Sequence, residues 1–431
     1  MSETDIAYIQ GRRVWDSRGC PTVEADVLLE CGAVGRGIAP AGVSLAAAEA
    51  VALRDGGKAF GGLGVSQAVE HVNGEIAQAL LGHDALDQET IDRRMHALDG
   101  TPGLSRLGAN ATLAVSIAVA HAAAAAEGEP LYRYLGGAEA DTLPLPQVQI
   151  FGGGAHAGQR IDVQGVLVTC PAARSFAEAL DWSAEIYRAA GALMEERTGP
   201  VGVADGGGWW PEFDSNEQAL ETTVAAIEKA GLKPGDEVSL ALDIAASGFG
   251  ANGHYRLARD GRELDSDGMI RLVSEWIAHY PIASIEDPLA SDDAAGFAAL
   301  TREMGGRVQV VGDDFLAGTP DRIRAAARDG AANAVLLKPD QHGTLSETRA
   351  AWQAARAAGY AGIVSARSGE SEDVTVVHLA VGWGVGQLKV GGFARGERMA
   401  KWNEALRIEG ALGPVARFAG GGAFGRSPAR G

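Results

Sequence analysis

Two strand-like stretches open the chain: residues 6–15 (IAYIQGRRVW) and 22–30 (TVEADVLLE) flank the turn-forming DSRGCP and predict a small sheet. Helical runs follow in SLAAAEAVALRDGG, SQAVEHVNGEIAQALLG and ATLAVSIAVAHAAAAAEG, the last closing on Gly128, which suits a helix C-terminus. That last run is apolar nearly all round, which predicts a buried helix. Glu127, Glu129 and Arg133 end it too soon for a membrane span.

After the proline-punctuated TLPLPQ segment the rhythm changes to short apolar runs separated by helical stretches. VQGVLVT, VSLALD, PIASIED, VQVVGDD, AVLLK, GIVSARS and GQLKV are continuous enough for strands buried on both faces of a closed parallel barrel. The expected fold class is therefore α/β, a (β/α)8 barrel over 138–418 preceded by a small α+β domain over 1–137. The glycine-rich, basic end, 419–431, reads as a flexible tail.

Composition narrows the function. With 431 residues, 46% hydrophobic and 22% charged, the chain is a globular protein long enough for one large barrel and a companion. A formal charge of −19 disfavours nucleic acid and anionic membranes, and Lys and Arg form no basic stripe. The opening MSETDIAYIQ lacks the pattern of a secretory signal, so a cytoplasmic protein is expected. Cys20, Cys31 and Cys170 share no metal-type spacing and are expected as buried, reduced thiols.

Barrel chemistry sits at the carboxyl ends of the strands, and three runs end in acid: Asp243, Glu286 and Asp313. A single such residue is more often a turn former or cap; three in successive units, without His or Cys, suit Mg²⁺. Lys338 and Lys389 lie in apolar sequence, where a lysine is paired, catalytic or snorkelling to the rim. Arg367 and Ser368 offer donors suited to phosphate or phosphonate oxygens.

The motifs GRRVWDSRGCPTVE, GGGAHAG, LDIAASGF, YPIASIEDP, VVGDD, LLKPDQHGTLSET, ARSGESED and GQLKVGGFARGERMAKWNEALRIE together resemble the enolase family over nearly the whole chain. The resemblance implies that Asp243, Glu286 and Asp313 bind Mg²⁺, with Ser44 holding a second ion. It further implies that Lys338 is the base, that Lys389 holds the substrate carboxylate, and that Arg367 with Ser368 clamps phosphate. His156 would close over a small phosphorylated acid beside Gln164. A Lys base with Mg²⁺ beside an ene-diolate is the superfamily's known scheme, implied here by likeness. A homodimer is likewise implied.

Three positions depart from the family pattern: Gly206 and Gly165 stand where the family has Glu, and Ala366 where it has His. The missing Glu at 206 is the family's proton donor to the leaving hydroxide, and general acid catalysis is worth ~10²- to 10⁴-fold. These losses lead to the expectation of another reaction: transfer of phosphonoformate from its CMP ester to a three-carbon enol acid, giving carboxyphosphonoenolpyruvate in phosphinothricin-type biosynthesis. Trp209 and Trp210 would then stack on cytosine, although loop aromatics more often pack locally. The alternatives are a weak phosphopyruvate hydratase and a non-catalytic paralogue.

Overall fold

The computed structural model describes residues 2–42 and 49–425. The chain forms two compact units: Met1–Ala140 with Lys338–Ala351 and Ala366–Gly384, and Asp141–Leu337 with Trp352–Ser365 and Val385–Gly431. Both are thus discontinuous in sequence.

In the first unit, β1 (Ile6–Trp15), β2 (Pro21–Leu29) and β3 (Val34–Ile38) form an antiparallel sheet in that order. The helix Ala109–Ala126 lies across it, and alanine on the helix meets glycine on the strand. A Cβ at Gly35 would lie 2.0 Å from the Ala118 carbonyl oxygen, and one at Gly37 would lie 2.5 Å from that of Ala114. Backbone therefore rests on backbone, which explains a helix with so few large side chains. The helix is apolar and long enough to cross a membrane, yet 83% of it is buried inside the protein, as a core helix is.

The helix expected over 44–57 is not found in its described part. Residues 50–54 run without helical hydrogen bonds: Ala50 N donates to Gln341, Val51 exchanges bonds with Gly103 and Ala109, and Leu53 N donates to the Asn110 side chain. Helix propensity lost to these pairings with neighbouring segments.

The second unit is a closed eight-stranded barrel. Its strands are β4 (Leu145–Gly152), β5 (Gly165–Thr169), β6 (Ser239–Asp243), β7 (Ile282–Glu286), β8 (Gln309–Gly312), β9 (Ala334–Leu337), β10 (Ala361–Ser365) and β11 (Gly386–Gly391), with β11 closing onto β4. One strand breaks the expected parallel pattern: β5 runs antiparallel to both β4 and β6. The segment between β4 and β5 contains only a short 3₁₀ turn, Gly154–Ala157, and no crossover helix to return the chain to the same end. The reversal puts the start of β5, and not its end, level with the acidic strand ends, since Gly165 pairs with both Gly152 and Asp243.

Low in the barrel a polar ladder crosses the interior. Gln147 Nε2 donates to Gln387 Oε1 at 3.0 Å, Gln387 Nε2 donates to Gln309 Oε1 at 3.0 Å, and Gln309 Nε2 donates to Ser284 Oγ at 3.2 Å. Gln387 Nε2 also reaches the Ala423 carbonyl in the 3₁₀ turn Gly420–Phe424, inside the segment read as a tail. Residues 426–431 of that segment lie outside the described residues. Of the cysteines only Cys170 is buried, its thiol pushed up to about 12 by desolvation; Cys20 is half-buried and Cys31 exposed.

Candidate active site

Four sequence-selected residues meet at the mouth of the barrel. Asp243 ends β6, Glu286 ends β7, and Lys389 projects from β11 between them, its ammonium 2.8 Å from Asp243 Oδ2 and 2.6 Å from Glu286 Oε2. Gln164, just ahead of β5, donates to the same Asp243 oxygen at 3.1 Å. Burial alone would lower the pKa of Lys389, but the two carboxylates override it and raise it, so the side chain stays a cation. A fixed positive charge beside two acids suits holding an anion better than accepting a proton.

Asp243 Oδ1 is buried without a hydrogen-bond partner. Next to this strand end, Asp287, Asp313 and Asp314 bring carboxylate oxygens within 4.8 Å of one another. Asp287 accepts from the backbone N–H of Asp313 at 2.9 Å and of Asp314 at 2.7 Å, which fixes the turn after β8. Burial, then the nearness of Asp313 and Asp314, raises its pKa. An all-oxygen donor set with an orphaned buried carboxylate oxygen fits a hard divalent cation. Asp287 and Asp314 escaped the sequence reading, although the doublets Glu286-Asp287 and Asp313-Asp314 were visible signals.

The loop carrying His156 and Gln164 is pinned by Asp162. This carboxylate accepts from Asn216 Nδ2 at 2.8 Å and from the backbone of Ala258 at 3.0 Å, while Asn216 Oδ1 accepts from Asp162 N at 2.8 Å. Gly206 sits on a turn whose backbone is tied to β4 and to Gly392. Trp209 stacks on Tyr187 at 4.8 Å and donates its indole N–H to the Tyr187 carbonyl. Trp210 is covered by the Arg160 guanidinium at 4.9 Å. Local packing accounts for Trp209, whereas Trp210 stays 38% exposed; with the CMP ester gone from the reading, neither ring is assigned a base to stack on.

Lys338, Ala366, Arg367 and Ser368 belong to the first unit. There Arg367 pairs with Glu49 at 3.2 Å and Asp340 at 3.4 Å, and its backbone N–H donates to Glu370 at 2.7 Å. Arg18 donates to Ser368 Oγ at 3.4 Å. Glu49, Asp340 and Arg18 were not anticipated, because nothing local in sequence links them to Arg367. Ser44 lies outside the described residues.

Two buried titrating groups in this unit oppose each other. Burial, assisted by His96, lowers His342 to about 4, and its Nε2 is buried without a hydrogen-bond partner. Burial raises Asp340 to about 6 despite Arg367 and Lys338. Below about pH 6.5 the unfolded chain protonates His342 while the native state resists, so stability is lost as pH falls toward 4. Native Asp340 binds its proton earlier than the unfolded chain does, so stability is gained between about pH 6 and 4. The two nearly cancel. In His342→Gln only the Asp340 contribution remains, and denaturant midpoints at pH 7, 5 and 4 should show the variant gaining about 2–3 kcal/mol on the wild type by pH 4; parallel curves would refute this.

Residues 6–135 match the enolase N-terminal domain, and residues 140–426 match the enolase C-terminal TIM barrel domain. The chain is 47% identical over 427 residues, 98% of each protein, to a protein named Enolase 1 from Desulfitobacterium hafniense strain Y51. This likeness overturns the phosphonoformate transfer expected from Gly206, Gly165 and Ala366: nearly the full length aligns with a protein named as an enolase, and nothing in the comparison points to a CMP ester or a phosphonate. By both domain matches and by identity along its whole length, this chain belongs to the enolase family.

Proposed function

We propose that the protein is a magnesium-dependent phosphopyruvate hydratase, removing water reversibly from 2-phosphoglycerate to give phosphoenolpyruvate. The observation that carries this reading is the Lys389 ammonium held between Asp243 and Glu286 at the barrel mouth, in a chain 47% identical to Enolase 1. In this reading Asp243, Glu286 and Asp313 hold Mg²⁺, and Ser44 serves a second ion. Bound there, the metal supplies positive charge against the charge that builds on the substrate carboxylate as its neighbouring proton leaves.

Lys338 takes that proton, and Lys389 keeps its own and holds the carboxylate. Arg367 and Ser368 take the phosphate, with Glu49 and Asp340 orienting the guanidinium. Gln164 and His156 line the loop side. Position 206 carries no acid, so the departing hydroxide draws its proton from water or a neighbouring side chain.

The test is direct. With Mg²⁺ and 2-phosphoglycerate, absorbance of the enol product should rise; chelation with EDTA should abolish the signal and excess Mg²⁺ should restore it. No turnover with the metal present would overturn the reading, and turnover indifferent to EDTA would remove the metal from it.

A further inference from the structure

The space beside Gly206 and Gly165 is occupied. Gln149 rises from β4, two residues along from Gln147 and so on the same barrel-interior face, one step nearer the mouth. The strand becomes irregular just beyond it, between Gln149 and Phe151. Only 8% of Gln149 is exposed, and its Oε1 is buried without a hydrogen-bond partner. A buried carbonyl oxygen left unpaired is costly, so this one calls for a hydrogen-bond donor that a ligand in the barrel mouth can supply.

Four glycines make its seat. A Cβ at Gly206 would lie 2.3 Å from Gln149 Oε1, and one at Gly208 would lie 2.8 Å from its Cγ. A Cβ at Gly165 would lie 3.2 Å from Gln149 Nε2 and 3.6 Å from Asp243 Cβ, and one at Gly152 would lie 3.4 Å from Nε2. The carboxamide thus fills the volume into which a side chain at 206 would grow, beside the strand end that carries Asp243. Glu at 206 and Gln149 in this seat exclude each other.

We propose that Gln149 is a substrate-contacting specificity residue: its carboxamide meets the hydroxyl of the three-carbon acid, and Gly165, Gly206 and Gly208 are small because they seat it. This rests on the hydratase reading for the identity of the ligand. An amide is no proton donor at neutral pH, so Gln149 orients the hydroxyl and leaves the proton to solvent. The loss of side chains at 165 and 206 is then one side of an exchange whose other side is the glutamine.

The experiment compares two ligands with the Mg²⁺-loaded protein by calorimetry: 2-phosphoglycerate, which carries the hydroxyl, and phospholactate, which lacks it. Gln149→Ala should weaken 2-phosphoglycerate binding roughly tenfold and leave phospholactate unchanged. Gly206→Ala, whose new methyl group displaces the carboxamide, should reproduce that selective loss, and the double variant should add nothing further. Gln149→Asn, which keeps the amide but withdraws it by one methylene, should show the same selectivity and serves if the alanine variant folds poorly.

Equal weakening of both ligands, or of neither, overturns the proposal, as does additive behaviour of the two sites. Phospholactate cannot be dehydrated, so its arm reads binding alone, and the 2-phosphoglycerate arm is read as the apparent affinity once its equilibrium with phosphoenolpyruvate is reached. Selective loss without any turnover of 2-phosphoglycerate by the wild type would remove the hydratase reading and leave the hydroxyl contact standing. Failure of the wild type to bind 2-phosphoglycerate at all would overturn both.

Discussion

Lys389→Met should destabilise the metal-free protein by about 3–5 kcal/mol and cut turnover of 2-phosphoglycerate at least ~10²-fold. The stability part follows from burial. The Lys389 side chain is 14% exposed, and the carboxylates it neutralises are 8% and 4% exposed. Removing the cation strands two negative charges in one poorly solvated place, and that penalty is much larger than the net worth of the intact pair. Methionine keeps most of the stem's packing, so the loss reports charge rather than volume.

Divalent metal sharpens the test. In the wild type an incoming cation meets carboxylates already neutralised by Lys389; in the variant it meets two uncompensated acids and binds more tightly. Stabilisation by a ligand grows with its concentration over Kd, so the rise in melting temperature on adding Mg²⁺ should be larger for Lys389→Met than for the wild type. An unchanged metal-free melting temperature would refute the burial argument. Equal Mg²⁺ shifts in the two proteins would separate Lys389 from the metal's carboxylates.

Much of the barrel was legible because its strands are continuous apolar runs ending in acid or lysine, and Asp243, Glu286 and Lys389 could each be picked out from that contrast. The first strand, β4, was not, because Pro144 and Pro146 read as punctuation. The Pro146 position pairs with Leu388 at the start of the strand, where a missing N–H is least costly. The antiparallel β5 was hidden for a different reason: apolar periodicity carries no strand direction, and only the missing crossover helix between β4 and β5 could have betrayed it.

Gln149 was invisible on principle. A glutamine in an apolar strand signals nothing until the glycines at 152, 165, 206 and 208, spread over some fifty residues, are found around it. Read as isolated losses, Gly165 and Gly206 suggested missing acids and a new reaction. Read with Gln149 in place, they describe a pocket that is full. The partners of Arg367 were lost to the sequence in the same way, since Glu49 and Asp340 are distant from it along the chain and from each other.

The second large effect is expected at the opposite end of the barrel. Gln387→Leu should cost about 3–6 kcal/mol and leave kcat for 2-phosphoglycerate unchanged. Gln387 is fully buried and joins the ladder on both sides, accepting from Gln147 and donating to Gln309 and to the Ala423 carbonyl. Leucine there leaves the Gln147 amide, the Gln309 carbonyl and the Ala423 carbonyl without these partners at about 1–3 kcal/mol each, moderated where one finds another.

Its position decides what is spared. Gln387 lies near the start of β11 and Gln309 at the start of β8, whereas barrel chemistry belongs to the other ends of the strands. Replacing Gln147, Gln309 and Gln387 together by leucine should recover part of the loss, because the glutamines no longer strand one another and only the Ala423 carbonyl and Ser284 Oγ lose a ladder partner, although added branching costs some packing. Chemical denaturation of the single and triple variants measures this: a triple variant less stable than Gln387→Leu would show that the ladder stabilises the barrel outright, and a change in kcat at unchanged folding would tie this end of the barrel to the chemistry at the other.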